Sequence, residues 1–171
     1  KKNEPANIEK IDKVMLPGDF IAMKLTGTIT TSIEALSEGV FWDFKNKELS
    51  KDVFEYFGLN NSFIPPIQNV FSEHGNLLPA IAEQLSLKAG IPIAYKAGDQ
   101  PNNALSLNVL EPGEVAATAG TSGVIYAVSD ELTFDPLSRI NSFAHVNHTA
   151  QQKRIGALLC INGTGILNRW V

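Results

Sequence analysis

Two stretches, Ala97-Gly98-Asp99-Gln100-Pro101-Asn102-Asn103 and, further along, Ala119-Gly120-Thr121-Ser122-Gly123-Val124, organise the rest of the chain. Asp99 follows an apolar run, Ile91 to Tyr95, and a glycine, and it precedes a helical pattern from Asn103 to Leu110. An aspartate so placed is expected as an N-cap, its carboxylate accepting a backbone N–H while the helix dipole favours the ionised form. Pro101 is tolerated because the first turn of a helix has unpaired donors in any case. Val115 to Ala119 and Val124 to Val128 read as two strands joined through Gly120-Thr121-Ser122-Gly123. Glycines allow such a hairpin to turn through positive φ, and its N–H groups are expected to form a small anion-binding nest. A carboxylate facing a phosphate-sized cradle suggests phosphoryl transfer. Each half taken alone has a plainer reading: Asp99 as a cap and nothing more, Gly120 to Gly123 as a tight turn.

The composition supports a folded protein. The chain has 171 residues, 44% of them apolar, which is enough for a real core and argues against disorder. A net charge of −4 leaves no basic surplus, so nucleic acid is not expected as a partner. Lys45, Lys47 and Lys51 alternate with acids and read as a solvated face. Cys160, the single cysteine, sits in the apolar run Ile155 to Ile161 and is expected as a buried strand thiol. One cysteine allows no disulfide framework, which fits a reducing compartment. No apolar stretch reaches the length of a membrane helix, and the opening residues lack a signal-peptide core. The expected setting is the cytoplasm, without a membrane partner.

Along the chain, Ile8 to Leu25 predicts a short helix or turn, a break at Leu16-Pro17-Gly18, then a helix capped by Asp19 and ended by Gly27. Thr28 to Ile33 mixes β-branched residues with hydroxyls suited to turns and caps, and Glu34 to Gly39 is ambiguous. Phe41 to Phe44 reads as extended, with Asn46 in a turn. Ser50 caps a helix from Lys51 to Phe57 that Gly58 closes. Asn60 to Ser72 holds Pro65 and Pro66 and should be extended. Pro79 to Leu87 predicts a helix, Ile91 to Tyr95 a buried strand. Arg139 to His145 and Lys153 to Ile161 read as further strands, and Asn162 to Val171 as a loop entering a helix. A helix cut so short cannot bury its apolar face alone, so the chain is expected to be an internal piece of a longer protein.

Other polar residues carry weaker signals. His145 and His148 stand in a strand-turn context where no metal site is expected, and His74 falls in a loop and is expected to be solvated. Trp42 and Trp170 read as packing residues. No serine, histidine and acid form a nucleophilic motif, and the Gly120 loop lacks the lysine of a Walker loop.

Val14-Met-Leu-Pro-Gly-Asp-Phe-Ile-Ala-Met-Lys-Leu-Thr-Gly27, Ser37-Glu-Gly-Val-Phe-Trp-Asp-Phe44, Ala97-Gly-Asp-Gln100 and Glu111-Pro-Gly-Glu-Val-Ala-Ala-Thr-Ala-Gly-Thr-Ser-Gly123 occur in this order. Together they resemble the FGGY carbohydrate kinases over nearly the whole chain, and within that family chiefly the members that phosphorylate D-xylulose. The resemblance implies an α/β protein of the actin-like, ribonuclease-H-like ATPase fold, with sugar and ATP bound in a cleft between two domains. It makes residues 1–98 the C-terminal part of the sugar-binding domain and residues 99–171 the start of the second domain. It gives Asp99 the part of catalytic base, taking the proton from the sugar hydroxyl that attacks the γ-phosphate, and it puts Gln100 against the sugar. Gly120, Thr121, Ser122 and Gly123 match the loop that contacts the transferred phosphoryl group. Gly163 and Gly165 lie where related kinases approach the nucleotide. Mg2+ would bridge the phosphates, held by carboxylates and water.

Two parts of the family pattern are absent from these residues: the N-terminal phosphate-binding hairpin with its aspartate-glycine-threonine motif, and the glycine-rich adenosine loop. The fragment alone is therefore expected to be inactive. Ribulose, gluconate or glycerol stay open as substrates, as do a non-catalytic carbohydrate-binding relative and a homodimer.

Overall fold

In the first of two units into which the chain divides, Lys1–Lys96, short helices are delimited by their end residues. The structure, a computed structural model, describes Asn3 and residues 5–171. After one helical turn, α1 (Pro5–Ile8), comes α2 (Pro17–Thr26). Pro17 takes the first helical position, where no N–H is needed, and Gly27 ends the helix at φ +74°, its N–H returning to Met23 O. Asp19 does not make the expected cap. Leu16 is the N-cap residue, and Asp19 lies within the first turn, buried. Ser32 does cap a helix, α3 (Ile33–Glu38), its hydroxyl accepting the Ala35 N–H at 3.1 Å. The hydroxyl-rich run from Thr28 therefore ends in a cap, with only an isolated bridge between Thr31 and Ile67.

β1 (Trp42–Asp43) and β2 (Glu48–Leu49) form a minimal hairpin, its turn tied by Asp43 Oδ1 accepting the N–H groups of Lys45 and Asn46. α4 (Lys51–Phe57) stops at Gly58, at φ +57°, as the sequence predicts, although the Ser50 hydroxyl makes no capping bond. A 3-10 turn at Asn61–Phe63 interrupts the stretch expected to be extended, and α5 (Pro79–Leu85) opens, like α2, on a proline. Ile91 to Tyr95 forms no strand. Only Pro92 is bridged, to Asn76, with Ile91 O accepting from Leu77 N–H and Ile93 bonded to His74 and Gly75 on either side. Phe54, Leu36, Ala35, Ala22, Val70, Leu77 and Ala82 are the buried apolar residues, with Phe41 edge-on to Phe54 at 5.6 Å.

The second unit, Ala97–Val171, is an antiparallel sheet with one helix against it. α6 (Asp99–Ser106) starts at the residue expected to cap it and ends four residues before Leu110. Gly98 is its N-cap residue, so Asp99 is the first helical residue, and its carboxylate accepts the N–H of the next residue, Gln100, from inside the first turn. The sheet has the order β3-β4-β6-β5, built from β3 (Val115–Ala119), β4 (Gly123–Ser129), β5 (Asn141–Ala144) and β6 (Ile155–Ile161). A last helical turn, α7 (Leu167–Trp170), follows. Ala104 of α6 is fully buried against Ala116, Tyr126, Val128 and Leu158, the core of this unit.

Three residues depart from their expected surroundings. Cys160 is exposed, because it falls on the open end of β6, and its thiol donates to Asn162 Oδ1 at 3.4 Å. Trp170 is 83% exposed and packs no core, while Trp42 is half-buried. His74 is fully buried rather than solvated: its Nε2 donates to Val70 O at 3.0 Å, so the loop satisfies the ring from within.

Candidate functional site

The hairpin between β3 and β4 closes at the pair Ala119 and Gly123, leaving Gly120, Thr121 and Ser122 as its tip. The expected positive φ is absent: none of Gly120, Gly123, Gly163 and Gly165 adopts left-handed backbone. Two of these glycines are required by space. A Cβ on Gly123 would meet Thr164 Cγ2 at 2.7 Å, and one on Gly165 would meet Gly120 O at 2.5 Å. The turn after β6 is thus pressed onto the back of the hairpin, where Gly165 N–H and Thr164 Oγ1 both donate to Gly120 O, at 2.9 and 3.0 Å. Ile166 N–H adds a longer bond to Thr121 O, at 3.3 Å. Gly163 takes no part; a Cβ there would meet nothing within 4 Å.

The anion nest is smaller than expected, because Gly120 N–H is used within the hairpin, donating to Ser122 O at 3.0 Å. What remains is nonetheless a donor set. Among the described residues, the hydroxyls and N–H groups of Thr121 and Ser122 have no hydrogen-bond partner, and both residues are exposed. Such a cluster on a tip held from behind fits the oxygen atoms of a phosphoryl group, and so the phosphate end of ATP. Among the described residues no three His, Cys, Asp or Glu side chains form a group that could hold a metal ion; Mg2+ beside nucleotide phosphates needs only one or two carboxylates and water.

Asp99 stands exposed at the start of α6. Its Oδ1 accepts the Gln100 N–H at 2.7 Å, and its Oδ2 faces Gln100 Nε2 at 3.4 Å, so the two predicted sugar-side residues lie together. The far end of the helix is anchored. Val109 O, just past it, accepts from His145 Nε2 at 3.0 Å, and Leu110 O accepts from Asn147 Nδ2 at 3.1 Å. His145 follows Ala144, whose partner Ile155 pairs on its other side with Ser129. That is the end of the sheet opposite the hairpin tip, which lies at the Gly123 and Ile161 end. The C-terminal end of α6 is thus anchored at the base of the sheet, and Asp99 is the first residue at the other end of the helix.

His145 is fully buried between the helix end and the sheet, with Nδ1 accepting from the Tyr126 hydroxyl at 3.0 Å. Burial pushes its pKa down from the ordinary value, the positive charge of Arg154 pushes the same way, and the hydrogen bond to Val109 O opposes them. Both ring nitrogens are occupied, so this histidine is structural.

Sequence reasoning missed Thr164, whose hydroxyl joins the turn to the hairpin. It also missed a buried ion pair in the first unit, Lys96 Nζ to Asp19 Oδ1 at 2.7 Å. The one available signal for the pair was a lysine set between an apolar run and Ala97. A groove of about 470 Å³ in that unit, lined by Ile11, Lys13, Val14, Met15, Pro17 and Phe20, holds none of the predicted site residues.

Residues 1–106 match the model of the FGGY family of carbohydrate kinases, N-terminal domain. The chain is similar to the xylulose kinase of Escherichia coli K12, 26% identical over 145 residues, which are 85% of this chain and 30% of that enzyme. Its fold is similar to the crystal structure of xylulose kinase from Rhodospirillum rubrum, with a TM-score of 0.86 and 25% identity over 99% of this chain and 33% of that one. The Plasmodium falciparum glycerol kinase structure with ADP superposes at a TM-score of 0.84 with 19% identity, over 99% of this chain and 34% of that one. The two units thus carry part of the actin-like ATPase fold of these kinases. The chain spans about a third of the length of the relatives it matches. Among the described residues, no helix is long and apolar enough to cross a membrane.

Proposed function

The chain belongs to the FGGY family of carbohydrate kinases, and from that premise we propose that the protein carrying it transfers the γ-phosphoryl group of ATP to a sugar hydroxyl, in the cytoplasm. The proposed substrate is D-xylulose and the product D-xylulose 5-phosphate, in keeping with the xylulose kinases among its relatives. Residues 1–98 then complete the sugar-binding domain and residues 99–171 begin the second one.

In this reading Asp99 is the general base. Its carboxylate takes the proton of the sugar hydroxyl, the hydroxyl oxygen forms the new bond to phosphorus, and ADP departs with the electrons of the broken bond. ATP supplies the phosphoryl group. Phosphoryl transfer has a loose transition state that gains more from positioning and charge stabilisation than from covalent help. Asp99 suits the part because its carboxylate is exposed and, among the described residues, bonded only to Gln100. Thr121 and Ser122 donate to the equatorial oxygen atoms of the transferred group, Gly123 and Gly165 keep the tip close to its supporting turn, and Gly163 borders the nucleotide. Gln100 orients the sugar beside the base.

The observation that carries this reading is the pairing, in one unit, of an exposed helix-start carboxylate with a braced hairpin tip of unpartnered donors. The test is a coupled ADP-release assay on the whole protein carrying this chain, with xylulose, ribulose, gluconate and glycerol. Xylulose should be turned over best, and Asp99→Ala should lower kcat by roughly 10²- to 10⁴-fold without altering the circular dichroism spectrum. Full activity in that variant removes the base assignment; no sugar-dependent ADP release from the unaltered protein removes the kinase reading.

A further inference from the structure

Four segments of the first unit meet in a buried polar chain. Lys96 Nζ is paired with Asp19 Oδ1 at 2.7 Å and donates to Thr30 O at 2.6 Å and to Thr30 Oγ1 at 3.0 Å. With its lone pair so engaged, the Thr30 hydroxyl is free to donate to His74 Nδ1, at 3.4 Å. All four residues are at least nine-tenths buried. Lys96 is the last residue of the unit, and the next, Ala97, begins the other. The run leading to it is also held: Ile93 exchanges backbone bonds with His74 and Gly75, and Tyr95 stacks on Phe71 at 5.0 Å. Burial pushes the Tyr95 hydroxyl up to about 12, with the Glu34 charge adding to the shift.

Such a chain is a poor choice for stability alone. Desolvating two charges offsets much of their attraction, and an apolar pair of similar volume often serves as well. Asp19 Oδ2 is moreover buried with no hydrogen-bond partner among the described residues. What an ion pair gives that an apolar pair does not is a fixed direction. Each of its three donor contacts specifies where the ammonium group lies, and through it where the backbone of residue 96 lies. Three residues of chain reach at most about 10 Å, so fixing residue 96 confines Asp99.

We propose that Lys96 is a positioning residue for Asp99, clamped by Asp19 and Thr30 so that the catalytic carboxylate starts from a fixed point of backbone. The inference rests on the kinase reading for its consequence and on the buried clamp for its cause. A misplacement of about 1 Å at a reacting group can lower a rate roughly 100-fold.

The test compares three variants of the whole protein: Lys96→Met, Lys96→Arg, and the double variant Asp19→Leu with Lys96→Met. The double variant removes both charges and keeps the fold testable if the lone Asp19 left by Lys96→Met prevents folding. In a double variant that melts within a few degrees of the unaltered protein, kcat should fall about 10- to 100-fold while KM for sugar and ATP stays within about twofold. Lys96→Arg, which keeps the charge and the donors, should retain most of kcat. Hydrogen exchange of the amides in residues 97–103 should quicken in the Met variants and stay slow in the Arg variant. A well-folded double variant with unchanged kcat and unchanged exchange overturns the proposal. If the unaltered protein phosphorylates no sugar, the kinase reading has failed, and the exchange comparison decides the clamp by itself: unchanged exchange overturns it, faster exchange upholds it.

Discussion

Gly165→Ala isolates the contact that braces the hairpin tip. The added Cβ would stand 2.5 Å from Gly120 O and 3.2 Å from Gly120 C, both backbone atoms that cannot rotate away. Ordinary contact begins near 3.4 Å, so the turn or the hairpin must retreat by about 0.9 Å. That retreat stretches the bonds of Gly165 N–H and Thr164 Oγ1 to the same oxygen, now 2.9 and 3.0 Å, beyond useful length. Overpacking of this kind costs about 1–3 kcal/mol, and each lost hydrogen bond belongs to the same range rather than adding freely to it. The same displacement moves Thr121 and Ser122 by a comparable distance, enough to lower kcat roughly 100-fold if they contact the transferred group. Gly163→Ala is the matched control for stability alone, since its Cβ meets nothing within 4 Å and its backbone is not left-handed. Urea unfolding and the coupled ADP assay on the whole protein give both readouts. If Gly165→Ala matches Gly163→Ala in midpoint and the unaltered protein in kcat, the bracing argument is wrong.

Two further predictions concern the core of the second unit. Burial holds the folded-state pKa of His145 below its ordinary value of 6.5, so below that pH the unfolded chain binds a proton that the folded one resists. Its contribution to stability is complete above pH 6.5 and is lost as pH falls towards the depressed folded value, by up to about 1.4 kcal/mol per pH unit. Urea midpoints should therefore fall more steeply on acidification in the unaltered protein than in His145→Gln, and parallel curves would contradict the assignment. Gly156→Ala should destabilise by at least about 2 kcal/mol, because its Cβ would occupy the space of the Tyr126 hydroxyl and ring, which are buried and bonded to His145. A melting temperature close to that of the unaltered protein would show that the ring has room to move.

Much of the local structure was legible because it depends on neighbouring residues. Gly27 and Gly58 were expected to end helices and do so in left-handed backbone, where a side chain would be strained. The strands on either side of Gly120 to Gly123 were readable from their β-branched and apolar runs. Helix starts were less legible. Aspartate suits both the cap position and the first turn, so Asp19 and Asp99 were each expected one step outside the helix and are found inside it. The histidines resisted prediction for another reason. His74 lies in a loop, and only the fold reveals that Val70 and Thr30 enclose its ring.

By itself, the order of residues determined where the helices before Gly27 and Gly58 end, which strands adjoin the candidate phosphate loop, and to which family the motifs point. These properties are set by backbone preferences and spacings within a dozen residues or so, and such signals survive in a one-dimensional string. Only the tertiary structure decided that Gly165 is glycine to admit Gly120 O, that Gly156 is glycine to admit a tyrosine, and that Lys96 meets Asp19 away from water. Each of those is a matter of volume or charge shared between distant parts of the chain. A glycine needed for conformation and a glycine needed for room are the same letter until the neighbour that fills the room is known.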